Sequence, residues 1–178
     1  MAILVELSLV EFNVAVQSAM TRILVSKSQD LNHASTYKRT LIKRLEEEVV
    51  GCCAELAMGK LLSQYFIPEI GTYHHKPDCL HDIEIRGTAL QDGKLIVRDN
   101  DASDRRYILA TVTGTNAYFV GWCYGYEAKQ GKYLDNPNEC RQSWFVPQDA
   151  LRPFETLELT NYQAEPRPVG VAPADAAA

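Results

Sequence analysis

Residues 76 to 87 read KPDCLHDIEIRG. In a strand, side chains two apart share a face, so Asp82, Glu84 and Arg86 would line one side while Ile83 and Ile85 point into a core. Such an arrangement is either a solvated face or a metal site. Carboxylates are the oxygen donors that a hard cation such as Mg²⁺ or Mn²⁺ takes, usually one or two of them completed by water and a substrate phosphate. Asp78 and Glu84 are the natural pair, brought to one ion by a turn between them, and Asp82 is the alternative partner if Asp78 points away.

A third carboxylate is embedded in EEEVVGCCAELAMGKLL. Glu55 lies four residues after Gly51 and four before Gly59, so the three share one helical face. Each interior glycine costs a helix about 1 kcal/mol, and two flanking an acid suggest close approach by a sheet or a ligand. The plainer reading is a solvated Glu55 beside glycines that allow tight helix packing.

Other stretches hold chemistry-bearing types with weaker spacing. YHHKPDCLH places His74, His75, Cys79 and His81 within eight positions. Adjacent histidines point apart in a strand and no second pair waits at finger-like spacing, so loop histidines are favoured over structural zinc. Glu127-Ala128-Lys129 could bring an ammonium toward Glu84, or simply begin a solvated helix. Trp122, Tyr124 and Tyr126 alternate and could offer a stacking platform for bases, with core packing the favoured alternative. No glycine-rich phosphate loop precedes a helix and no G-x-S-x-G elbow is present, which disfavours P-loop and serine-hydrolase chemistry.

The elements that must position these residues follow from periodicity. Ser8 and Glu11 have capping-box spacing, and Phe12, Ala15, Val16, Ala19, Met20, Ile23 and Leu24 recur at helical intervals, predicting a helix over 9–26. A second helix is expected over 40–64, with Leu41, Leu45, Val49, Cys52, Leu56 and Leu61 as its apolar stripe. Period-two and short apolar runs then predict a largely antiparallel meander of four or five strands over 69–125: EIGTYH, DIEIR, KLIVR, YILATV and YFVGWCY. GYEAKQGKYL suggests one short helix, and WFVPQDALRPFETL a final strand-like piece. The Pro/Ala-rich end, 161–178, reads as a disordered tail.

The chain has 178 residues, 46% of them hydrophobic, which suits one globular domain over 1–160. No apolar run approaches the roughly 18 to 20 residues of a membrane span, and the N-terminal segment lacks the basic flank of a signal peptide, so a cytoplasmic protein is expected. Five cysteines without paired spacing argue for reduced thiols. The net charge of −5 does not advertise nucleic-acid binding. Basic residues nevertheless cluster at Lys38, Arg39, Lys43 and Arg44, at Arg105 and Arg106, and at Lys129, and phosphates sense such local fields.

Pro77-Asp78, Glu84-Ile85-Arg86 and Glu55 together resemble the motif of the PD-(D/E)xK nuclease superfamily. The ordered set Gly51–Leu62, Asp78–Arg86, Leu95–Asp99, Tyr107–Gly114, Gly121–Lys129 and Phe145–Pro153 is also similar to a group of phage proteins, over about residues 40 to 155. The resemblance implies an α/β (α+β) fold with a restriction-endonuclease-like core, a mostly antiparallel or mixed sheet flanked by helices. It implies Mg²⁺- or Mn²⁺-dependent phosphodiester hydrolysis in a host cytoplasm, on DNA in preference to RNA, with a homodimer or a protein partner as further options. Asp78, Glu84 and Glu55 would serve the metal, and Glu55, Asp78, Glu84 and Arg86 the catalysis. Arg86 stands where the superfamily carries Lys. A guanidinium stays protonated and clamps phosphate as a fork, whereas an ammonium can orient water, so the resemblance also fits an inactive module that binds nucleic acid or protein.

Overall fold

A computed structural model describes residues 2–28, 40–63, 78, 82–135 and 142–159. The expected strand EIGTYH, the basic pair Lys38 and Arg39, the residues His74, His75, Cys79 and His81, and the tail lie outside the described residues.

The capping box forms as its spacing requires. Ser8 N–H donates to the Glu11 carboxylate at 2.6 Å, and Glu11 N–H donates to Ser8 Oγ at 3.2 Å. Helix α1 (Leu9–Ser28) follows and buries Ala15, Ala19 and Ile23. Met20 and Leu24, expected on the same stripe, are exposed, because small residues set the contact line with the neighbouring helix. Helix α2 (Leu41–Leu61) begins at Thr40, whose hydroxyl accepts from Lys43 N–H, and it stops three residues short of the expected end. Its apolar stripe is not uniform. Leu41 is exposed, while every residue from Cys52 to Gly59 is buried, so the helix runs from solvent into a fully enclosed half. Packing on both sides, rather than one amphipathic face, decides burial there.

The strands depart from a simple meander. Strand β1 (Ile3–Glu6), which the sequence reading did not anticipate, precedes α1 and pairs antiparallel with β5 (Asn116–Tyr124). Strand β2 (Ile83–Thr88) pairs parallel with β4 (Arg106–Thr113), and β4 and β5 form an antiparallel hairpin. The sheet order is β1-β5-β4-β2, and a short strand β8 (Arg152–Pro153) joins the β5 edge, giving five mixed strands. Strand β3 (Leu95–Arg98) leaves this sheet. It pairs with β7 (Ser143–Val146), which carries β6 (Leu134–Asp135), in a separate three-stranded antiparallel sheet. A parallel β2–β4 pair requires a crossover, and the β3 excursion supplies it. Helix α3 (Gly125–Ala128) is the expected short helix.

Two apolar cores result, one on each face of the main sheet. The helices cover Ile83, Ile85, Ile108, Ala110 and Phe119, and the opposite face packs Tyr107, Leu109 and Cys123 against Leu95, Val97 and Val146. The architecture is therefore α+β with a mixed five-stranded sheet. No helix among the described residues is long and apolar enough to cross a membrane.

A candidate acidic site at the edge of the main sheet

Strand β2 delivers its side chains alternately, as period two dictates. Ile83 and Ile85 are buried in the helix-side core, with relative exposures of 0% and 6%. Glu84 and Arg86 emerge on the other face, in register with Tyr107 and Leu109 of β4. Arg86 is the hub of that face. Its Nη2 donates to Asp101 at 2.8 Å, its Nη1 lies 3.3 Å from Glu84, and its guanidinium sits 5.7 Å from the Tyr107 ring centroid. Its buried Nε has no hydrogen-bond partner. Asp101 is fixed in turn by accepting from Arg98 N–H at 2.8 Å, and Lys129 Nζ donates to the carbonyls of Asp99 and Asp101. Lys129 therefore pins the loop that holds Arg86 and does not reach Glu84 as a catalytic ammonium.

Asp78 lies against the β2 backbone and accepts from Ile85 N–H at 2.7 Å. Burial, then the Glu55 and Glu84 carboxylates, push its proton affinity well above the usual carboxylate range, against the opposing pull of that N–H and of Arg86. Glu84 is also raised: burial leads, Asp101 and Glu55 add to it, and Arg86 and Arg105 oppose it. The charges of Glu55 and Glu84, from two other parts of the chain, thus both bear on Asp78. A small cleft of about 50 Å³, room for a few water-sized groups, is lined by Glu84, Asn100, Asp101, Ala102 and Arg105.

The close approach that positions Glu55 comes from a glycine the sequence reading did not single out. A Cβ on Gly87 would stand 2.9 Å from the Val50 carbonyl and 3.3 Å from Ala54 Cβ, so α2 lies directly on β2 at that point. Gly51, expected to serve this purpose, has open space around it. Glu55 itself is buried, and both its oxygens accept from Arg22 of α1, at 2.8 and 2.7 Å. Arg22 is a second residue that sequence reasoning missed, since nothing local links positions 22 and 55. Burial opposes its charge, and the Glu55 carboxylate more than offsets that.

The remaining sequence candidates are placed as follows. Asp82 does not join Glu84. Both its oxygens accept from Arg106, each at 2.6 Å, whereas Arg105 reaches Glu84 with 3.6 Å between Nη1 and the carboxylate. Neighbouring arginines thus hold the two acids separately. Lys43 pairs with Glu46 on the α2 surface, and Arg44 donates to Ser26 Oγ. The basic residues described are largely committed to internal partners. Glu127 accepts from Tyr124 N–H and pairs with Arg152, which makes it structural. Trp122 is buried, but the aromatic series continues outward through Tyr124 to an exposed Tyr126.

The donor set fits a hard divalent cation in kind. Its oxygens are carboxylate, and Glu55 and Glu84 both raise Asp78, a repulsion that a bound cation relieves. Among the described residues no three Asp, Glu, His or Cys side chains already stand in a coordinating group, and Arg22, Arg86 and Arg105 hold the oxygens of Glu55 and Glu84. Comparison of the chain with family models, with curated proteins and with solved structures finds no match.

Proposed function

We propose that the protein is a metal-dependent phosphodiesterase acting on nucleic acid, with a restriction-endonuclease-like core built on α2, β2, β4 and β5. The observation that carries this reading is Asp78 bonded to the β2 backbone next to Glu84, with the Glu84 and Glu55 charges bearing on it, and a cleft lined by Glu84 and Arg105. Asp78 and Glu84 would hold Mg²⁺ or Mn²⁺, with Glu55 joining directly or through water. When bound, the ion supplies positive charge to a developing oxyanion and to the attacking water.

The chain's own groups divide the remaining work. Arg86 is enclosed and bonded to Asp101, so in this reading it orients Glu84 instead of clamping the scissile phosphate. Arg105 lines the cleft and is the cation placed to meet a phosphate there, exchanging its 3.6 Å contact with Glu84 for a charge-assisted bond to the incoming anion. Tyr107 and the apolar residues beneath it keep water off the inner side of the pair, which strengthens each electrostatic interaction in the cleft.

A second reading, an inactive module that binds nucleic acid or protein, is favoured by the two-pronged hold of Arg22 on Glu55. That bond neutralises the helix acid without any metal. One assay separates the two: supercoiled and linear DNA and single-stranded RNA incubated with wild type and with Glu84→Ala, in Mg²⁺ and in Mn²⁺. The enzyme reading expects divalent-dependent cleavage by wild type that falls by about two orders of magnitude or more in Glu84→Ala. Equal cleavage by both proteins, or none by wild type, overturns it.

A further inference from the structure

Trp122, Tyr124 and Tyr126 do not form the flat strand-face platform that their spacing suggests. Trp122 meets Tyr124 edge-on, with centroids 5.4 Å apart and planes at 75°. Tyr124 then stacks on Tyr126 at 5.2 Å and 15°. The chain turns into α3 between them, so Tyr126 leaves the sheet and ends the series in solvent, 56% exposed. The Arg152 guanidinium braces the two inner rings, 4.7 Å from the Trp122 centroid and 5.4 Å from that of Tyr124. Glu127 pairs with Arg152, and its carboxylate also accepts from Tyr124 N–H at 2.9 Å. The outermost ring therefore stands on a rigid base, which removes most of the ordering cost that an exposed aromatic side chain would incur on binding.

Its place relative to the cleft is fixed through the backbone. Tyr126 N–H donates to the Ser103 carbonyl at 2.8 Å, and Gly125 N–H donates to the Arg105 carbonyl at 2.9 Å. A Cβ on Gly125 would run into the Ala102 carbonyl and stand 2.9 Å from Ser103 Cα, so only glycine lets α3 lie this close to the loop. The loop of residues 100 to 105 thus lines the cleft through Asn100, Asp101, Ala102 and Arg105, and through the carbonyls of Ser103 and Arg105 it is bonded to the α3 turn that carries Tyr126.

We propose that Tyr126 is a base-stacking subsite for single-stranded nucleic acid, receiving a nucleobase one or two nucleotides from a phosphate held at Arg105. The proposal rests on the nuclease reading for the identity of the anion at the cleft. A base in an intact duplex is already stacked on both faces, so an isolated tyrosine face beside a phosphate contact selects unpaired strands. Sequence preference is weak, because every base presents a π face.

The test is fluorescence anisotropy with a labelled ten-nucleotide oligothymidylate and with a blunt duplex of the same length, in EDTA so that no cleavage intervenes. Wild type, Tyr126→Phe and Tyr126→Ala are compared, with melting temperatures measured alongside. Tyr126→Ala is expected to weaken single-strand binding by about tenfold or more, to leave duplex binding unchanged, and to leave the melting temperature close to wild type. Tyr126→Phe should keep affinity within about threefold, since the ring supplies the stacking. An oligonucleotide carrying 5-bromouracil should photo-crosslink to residue 126 in wild type. Unchanged affinity in Tyr126→Ala, equal losses on both nucleic acids, or no binding by wild type overturns the subsite. Tyr126-dependent binding without divalent-dependent cleavage would instead sink the nuclease reading and keep the subsite. Cleavage that is indifferent to Tyr126, with unchanged binding, would do the reverse.

Discussion

At the scale of the residue, the site is governed by how many arginines surround its acids. Among the described residues no cation holds Asp78 in a bidentate pair, while Glu55 has Arg22 and Glu84 lies near Arg86 and Arg105. Asp78 is accordingly the acid whose proton affinity stands well above the ordinary range, through burial first and its two carboxylate neighbours next. A carboxyl whose folded pKa is raised contributes stability that is fully present below its unfolded pKa, roughly 4, and is lost as pH climbs through the folded value. Asp78→Asn cannot ionise, and its side-chain oxygen can still accept from Ile85 N–H. The advantage of the variant in melting temperature should therefore grow between about pH 4 and pH 8 in EDTA, amounting to about 1 kcal/mol or more at the upper end. Thermal unfolding across that range checks it, and a constant offset between the two proteins would contradict the shift. Saturating Mg²⁺ should raise the melting temperature of wild type and not that of Asp78→Asn, since binding to the folded state alone stabilises it.

The strand alternation that placed Glu84 opposite Ile83 and Ile85 was legible in six residues, because a period of two leaves little choice once one face is apolar. The same rule misplaced Asp82, since it precedes the strand and answers to a bidentate partner 24 positions away. Arg22 was illegible for a related reason. Its partner is set by how two helices pack, and local periodicity carries no information about that.

At the scale of the element, the contact between α2 and β2 decides where Glu55 stands. Capping chemistry fixed the start of α1 from Ser8 and Glu11 alone, and Thr40 fixed that of α2. The crossing of α2 over β2 instead depends on Gly87, an unremarkable glycine after Ile85-Arg86 in the sequence. Gly87→Ala places a methyl group against the Val50 carbonyl, a backbone atom that cannot rotate away. Overpacking of this kind costs about 1–3 kcal/mol, so the variant should unfold at a lower denaturant midpoint with an unchanged slope. Gly51→Ala, with open space around its Cβ position, should be neutral or stabilising by a few tenths up to about 1 kcal/mol, the ordinary preference of a helix for alanine. A larger loss at Gly51 than at Gly87 would reverse the assignment of which glycine serves the packing. The meander expected from the run of short strands was wrong for a reason of the same scale. Hairpin signals report neighbours in sequence, and the parallel β2–β4 pair joins strands that are separated by β3.

At the scale of the whole molecule, charge is mostly spent inward. Arg44, Arg105, Arg106 and Lys129, each a candidate for phosphate contact by composition, donate to or lie against Ser26, Glu84, Asp82 and the carbonyls of Asp99 and Asp101. With a net charge of −5, nucleic acid should be gripped at few points. The logarithm of the binding constant should then fall with the logarithm of salt concentration with a slope of about −1 to −2, far shallower than that of proteins neutralising many phosphates. Anisotropy titrations between low and moderate salt measure it, and a slope steeper than about −5 would demand a basic surface beyond the described residues.

The claim on which the account stands is that Asp78 and Glu84 accept one hard divalent cation. Anomalous diffraction from crystals soaked in Mn²⁺ addresses it without requiring turnover. The account predicts a single strong peak with carboxylate oxygens of both residues within about 2.3 Å, and its loss in Asp78→Asn. A map without that peak, in which Arg86 and Arg105 still flank Glu84 and Asp78 still accepts from Ile85 N–H, would contradict it.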